Sequence, residues 1–98
     1  MFETVLLPMD ANPQALDTAV KALELVQGHD SCLVLLELLD LAPDPSLLDR
    51  IKARIDQSGV PCQRLERGGE PLTVILDVAD ELNVDVIVMG TGGVSLNS

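Results

Sequence analysis

Asp10 and the run Gly90-Thr91-Gly92-Gly93 are the positions where this chain can best meet a ligand. Each follows an apolar segment of strand length, Val5-Leu6-Leu7-Pro8-Met9 before Asp10 and Val84-Asp85-Val86-Ile87-Val88-Met89 before Gly90. A loop nearly free of side chains lets backbone N–H groups approach a phosphate. A carboxylate facing such a loop can accept hydrogen bonds from a sugar hydroxyl or a base amine, or it can merely cap the approach to the next helix. The glycine run has no following lysine, as G-x-x-x-x-G-K-[ST] requires, and is not a G-x-G-x-x-G after the first strand, so both of those fingerprints are excluded.

Other reactive side chains form no constellation. His29 is the only histidine, follows Gly28 and has no serine or cysteine partner pattern, which makes it a loop residue. Asp77, Asp80 and Glu81 share a helix and read as a solvated face rather than a metal site. Asp40-Leu41-Ala42-Pro43-Asp44 lacks the D-x-D-x-D-G order of a calcium loop. Cys32 and Cys62 show no C-x-x-C spacing and read as free buried thiols, with a structural disulfide as the alternative. No catalytic residue and no metal ligand is assigned.

The elements that must position Asp10 and the glycines are clearly punctuated. Thr4–Met9, Cys32–Leu39 and Val84–Met89 are nearly continuous Leu, Val and Ile, the mark of parallel strands buried on both faces. Cys62–Glu66 is more polar and reads as an edge strand. Three helices lie between them. Asn12-Pro13, Asp44-Pro45 and Glu70-Pro71 start them, with proline where the first N–H has no partner, and Gly28, Gly59 and Asn83 end them. The expected buried stripes are Leu16, Ala19, Val20, Leu23 and Val26, then Leu48, Ile51 and Ile55, then Leu72, Ile75, Ala79 and Leu82. The order β-α-β-α-β-α-β predicts right-handed crossovers and an open parallel sheet. If the first three strands wind one way and the fourth returns beside the first, the order is 3-2-1-4, and the crevice opens between strands one and four.

Composition narrows the function classes. Ninety-eight residues, 47% of them hydrophobic, make one α/β domain over 1–98. Six basic against sixteen acidic residues give a net charge of −10, which repels nucleic acid and anionic membrane. Phe2 is the only aromatic residue, so no base-stacking platform exists. Five of the six bases, Arg50, Lys52, Arg54, Arg64 and Arg67, share one stretch and read as a solvated face. Met1-Phe2-Glu3 opens on an acid, and no apolar run nears the roughly 18 residues of a membrane span, so a cytoplasmic protein is expected.

Several segments together resemble the universal stress protein family: Val5–Asp10, Leu35-Leu36-Glu37-Leu38-Leu39-Asp40, Gly69-Glu70-Pro71, Ala79-Asp80-Glu81-Leu82 and Asp85–Thr91. The resemblance implies a three-layer, Rossmann-like fold with a parallel sheet ordered 3-2-1-4-5, a homodimer, and membership of either an ATP-binding or a non-binding branch. It further implies that Pro8, Met9 and Asp10 match the strand-one loop that holds adenine and ribose, and that Leu38 packs on the base. Met89, Gly90 and Gly93 match the first half of the family's G-x2-G-x9-G-[ST] motif.

The second half of that motif is absent, and the family's fifth strand is expected to be missing too, leaving four parallel strands. The chain then reads either as a shortened form of a longer protein or as a short member with an incomplete site. The exposed outer edge of strand four would be covered by antiparallel pairing in a symmetric dimer or by the Val94–Ser98 tail. The expected function is an adenine nucleotide (ATP or AMP) binding module acting in stress response. The alternative is a dimerising interaction module of the same fold without nucleotide. A nucleotidyltransferase or pyrophosphatase would need a His-containing or Ser-Gly-Gly signature near strand one, which Pro8-Met9-Asp10-Ala11-Asn12 does not supply. A non-enzyme is therefore expected, with slow ATP hydrolysis left open.

Overall fold

Eight principal elements account for most of the chain. The computed structural model describes residues 4–9, 14–26, 31–41, 44–89 and 92–95, the last of these as backbone only. In chain order they are β1 (Thr4–Met9), α1 (Ala15–Val26), β2 (Cys32–Leu38), α2 (Pro45–Ser58), β3 (Cys62–Arg67), α3 (Pro71–Glu81), β4 (Val86–Met89) and β5 (Gly92–Ser95). A short 3-10 turn, Leu39–Leu41, takes the residue that the sequence reading had placed at the end of β2.

The punctuation works as its chemistry predicts. Asp44 Oδ1 accepts the Ser46 N–H at 3.0 Å and Pro45 opens α2, while Gly59 closes it with a φ of 73°. Glu70 and Pro71 do the same for α3, and Asn83, at a φ of 52°, follows its end in the left-handed region that Asn tolerates. The expected marks of α1, Asn12-Pro13 and Gly28, lie outside the described residues.

Strand order is β3-β2-β1-β4-β5, with β3, β2, β1 and β4 mutually parallel. The four-stranded parallel order 3-2-1-4 is thus the expected one. Helices α1 and α2 cover one face, over a core that includes Val5, Leu7, Met9, Leu33, Ile51 and Ile55. Helix α3 covers the other, over Leu6, Val34, Leu36, Ile75, Val78 and Ile87. The alternation of Val5, Leu7 and Met9 against Leu6 within β1 is the two-residue period of a strand buried on both faces.

Three expectations need correction. The sheet does have a fifth strand, but Gly92–Ser95 runs antiparallel to β4, opposite Val86–Met89. Only two residues separate β4 from β5 in sequence. A parallel return needs a crossover of about a dozen residues, whereas an antiparallel strand needs only a tight connection. The outer edge of β4 is therefore paired within the chain, Val94 and Ser95 of the tail lying opposite Ile87 and Val86, so of the two expected coverings it is the tail and not a partner's fourth strand that lies on this edge. Leu72, expected in the buried stripe of α3, is 58% exposed, and Val78 takes a core place instead. In α1 the buried face turns toward small residues, Ala15, Thr18, Ala19 and Ala22, leaving Leu16 and Val20 half-buried, because alanines let the helix lie close to the sheet.

Both cysteines are free. Leu33 is the register partner of Cys62, so Cys32, one residue earlier, points to the opposite face of the sheet. Cys62 packs on the α1/α2 side, and burial pushes its thiol up. Three of the five bases in this stretch form ion pairs, Arg64–Asp56 at 2.9 Å and Arg67–Glu81 at 3.9 Å exposed as on a solvated face, and Lys52–Glu37 at 3.8 Å half-buried.

Candidate functional site

The hydrogen-bonded pairing of β1 with β4 covers Val5 with Val86 and Leu6 with Ile87, whereas β1 pairs with β2 along its whole length from Thr4 to Met9. The ladder to β4 ends at Pro8, near the carboxyl end of the sheet. The Asp85 N–H donates to the Thr4 carbonyl at 2.9 Å, so by alternation Thr4, Leu6 and Pro8 turn their backbone polar groups toward β4. Pro8 has no N–H to donate toward β4, and the ladder between β1 and β4 stops at this position, near the end of the strand.

A cavity of about 250 Å3 opens over this end of the sheet. Strand ends give it Leu7, Pro8, Leu38 and Met89; α1 gives Ala15 and Thr18; the turn after β2 gives Leu41. The start of α3 closes it with Glu70, Pro71, Leu72 and Ile75. Among the described residues its wall is mostly apolar, with Thr18 and Glu70 as the polar side chains. The Thr18 hydroxyl donates to the Gln14 carbonyl at 3.2 Å, which leaves its oxygen able to accept. Such a space is slightly smaller than the roughly 300–1,000 Å3 of a cleft for a drug-sized ligand.

The wall is braced from the β3–α3 loop. Asp40 Oδ2 accepts the Gly69 N–H at 3.0 Å, tying the turn after β2 to the residue before Glu70. Glu70 then caps α3: Oε1 accepts the Leu72 N–H at 3.3 Å, and Oε2 accepts the Thr73 N–H at 2.7 Å and the Thr73 hydroxyl at 2.6 Å. The Thr73 hydroxyl first, and the Thr73 N–H after it, hold the Glu70 carboxyl below the usual glutamate range.

Of the seven residues singled out in the sequence, Pro8, Leu38 and Met89 come together on the cavity wall. Met9 ends β1 with its side chain turned into the α1/α2-side core, 1% exposed. Gly93 lies in β5 opposite Val88. Asp10 and Gly90 lie outside the described residues. The sequence marks Glu70 and Pro71 as a helix start and as part of a segment that carries the family resemblance, but not as site residues. Strand direction gave the signal to include them, because every helix that follows a strand of a parallel sheet begins at the sheet's carboxyl end. Among the described residues no group of three or more His, Cys, Asp or Glu is placed to hold a metal ion, and no helix is long and apolar enough to cross a membrane.

Comparison with known proteins agrees with this fold. Residues 45–98 match the model of the universal stress protein family. The chain is 34% identical over 113 aligned positions to universal stress protein Sll1654 of Synechocystis sp., covering 100% of this chain and 72% of that protein. Among solved structures, protein Rv1636 of Mycobacterium tuberculosis H37Rv superposes with a TM-score of 0.74 at 23% identity, covering 99% of this chain and 75% of that one. A universal stress protein solved in complex with cAMP superposes with a TM-score of 0.73 at 17% identity, covering 90% of this chain and 75% of that one.

Proposed function

The chain belongs to the universal stress protein family, and from that premise we propose that it binds an adenine nucleotide of the ATP or AMP class in the crevice between β1 and β4 and acts in stress response. The observation that carries this reading is the cavity at the carboxyl ends of β1, β2 and β4, whose wall unites Pro8, Leu38 and Met89. Ligands of open α/β sheets bind at such a reversal of winding. The base lies between Leu38, Pro8 and Met89, Asp10 takes the ribose or the base edge, and Gly90 and Gly93 lie near the phosphates. The universal stress protein solved with cAMP supports the choice of an adenine ligand for this architecture. No step of bond making is assigned to the chain, which acts by occupancy, as a cytoplasmic homodimer.

Calorimetry on the purified chain tests the reading, together with chromatography of any nucleotide released by acid. Asp10→Ala is expected to weaken adenine nucleotide binding by about 1–3 kcal/mol, the range for a hydrogen bond to a charged group. Unchanged affinity removes Asp10 from the site, and no binding of any adenine compound by the wild-type chain overturns the assignment. The second reading, an interaction module without nucleotide, is favoured by Leu72 and Leu76. They are 58% and 50% exposed one turn apart on α3 and form an apolar spot suited to a protein partner. Leu76→Ser abolishing self-association while nucleotide binding is absent would select it.

A further inference from the structure

The cavity has an electrostatic character that its shape alone does not convey. The chain has six Lys and Arg residues, and all of them lie in described elements: Lys21 on α1, Arg50, Lys52 and Arg54 on α2, Arg64 and Arg67 on β3. None lines the cavity. Lys52, Arg64 and Arg67 are engaged with Glu37, Asp56 and Glu81. The charged side chain on the described wall is Glu70, a carboxylate.

Glu70 acts against an anion twice. Its charge repels one directly. Its two oxygens also take the Leu72 and Thr73 N–H groups and the Thr73 hydroxyl, the donors that the start of α3 would otherwise offer to a phosphate. Behind it stands a molecule of net charge −10. Each phosphate added to a ligand in this cavity therefore adds repulsion that no side-chain cation offsets.

We propose that the cavity selects adenine ligands of low charge, the nucleoside and its monophosphate or cyclic monophosphate, over the triphosphate, and that Glu70 is the discriminating group. This rests on the adenine reading above and names the ligand class within it. Affinity falls along the series adenosine, AMP, ADP, ATP. The ordering is electrostatic, so it fades with salt as the screening length shrinks from about 30 Å at 0.01 M to about 3 Å at 1 M.

The test is a set of titrations of the full chain with adenosine, AMP and ATP without divalent cations, at low and at high salt. At low salt adenosine is expected to bind at least roughly tenfold more tightly than ATP, a gap of about 1.4 kcal/mol, and the ratio narrows at high salt. Glu70→Gln and Glu70→Asn remove the charge, the second with a side chain that caps helices well. In both, with helix content checked by circular dichroism, the adenosine-to-ATP affinity ratio is expected to fall several-fold. ATP binding as tightly as adenosine at low salt overturns the proposal and leaves the adenine reading standing. A ratio that stays the same in both folded variants overturns the role of Glu70. Absence of binding by every adenine compound overturns the adenine reading and this proposal with it.

Discussion

Gly69 and Glu70 carry the wall of the cavity between them. Gly69 has a φ of 123°, where side chains are strained, and a Cβ there would meet Val74 Cγ2 at 3.3 Å. Gly69→Ala is therefore expected to lower stability by about 1–3 kcal/mol, seen as a lower urea midpoint; an unchanged midpoint would mean that the loop has another conformation at no cost. Glu70 adds a pH dependence. Its folded-state pKa lies below the unfolded value because the Thr73 hydroxyl and then the Thr73 N–H hold the ionised form. Its contribution to stability is thus complete above the ordinary glutamate range and is lost as pH falls through the lower folded value. The urea midpoints of the wild type and Glu70→Gln are expected to converge as pH is lowered through that acid window. A gap that widens toward acid would contradict the capping arrangement. The sequence showed which residues stand here, but not that Asp40 reaches across to the Gly69 N–H at 3.0 Å. That contact joins residues 29 positions apart, and no local pattern encodes it.

Elements were legible in proportion to how local their signals are. The limits of α2 and α3 follow from Asp44-Pro45 to Gly59 and from Glu70-Pro71 to Asn83, because capping depends on a few adjacent residues. The parallel direction of β1 to β4 followed from alternation of strands and helices, while their order followed only on the condition that the fourth strand returns beside the first, as the family resemblance implied. Two features did not follow. Helical periodicity gives an apolar stripe but not its phase to within one residue, so Leu72 and Ile75 looked equivalent while the structure leaves Leu72 58% exposed and Ile75 4% exposed. The strand β5 was hidden because Gly92-Gly93-Val94-Ser95 has almost none of the apolar continuity that marks a strand. Its pairing with β4 comes from the long-range need to satisfy that strand's outer backbone groups. The difference within α3 is measurable. Ile75→Ala is expected to cost about 2–4 kcal/mol through lost burial and the cavity left behind, while Leu72→Ala stays within about 0.5 kcal/mol, as surface changes do. Equal losses for the two would return Leu72 to the core. At the site, Pro8, Leu38 and Met89 were reached through family resemblance; Glu70, also within a resembling segment, takes its place on the wall because α3 begins at the same end of the sheet.

At the scale of the whole molecule, charge sets both the ligand preference and the response to solution conditions. Sixteen acids face six bases. The ion pairs Lys52–Glu37, Arg64–Asp56 and Arg67–Glu81 are partly exposed, each worth little in water. The excess acids include Asp77 and Asp80 on α3, on the same exposed side of the sheet as the Glu70 cap. Folding gathers this charge into a small volume, and the unfolded chain spreads it out, so self-repulsion opposes the folded state at neutral pH. Salt screens repulsion between exposed charges beyond about 10 Å at 0.1 M. Raising sodium chloride from about 0.02 M to about 0.5 M, roughly a 25-fold change in ionic strength, is therefore expected to raise the thermal midpoint by several degrees, the shift of roughly 1 kcal/mol in a domain of this size. Weakening of the three ion pairs acts in the opposite direction but is smaller, because there are more uncompensated acids than pairs. A midpoint that falls with salt would show that the pairs outweigh the net charge. It would also remove the long-range part of the repulsion that the cavity is argued to direct against ATP, leaving Glu70 to discriminate alone.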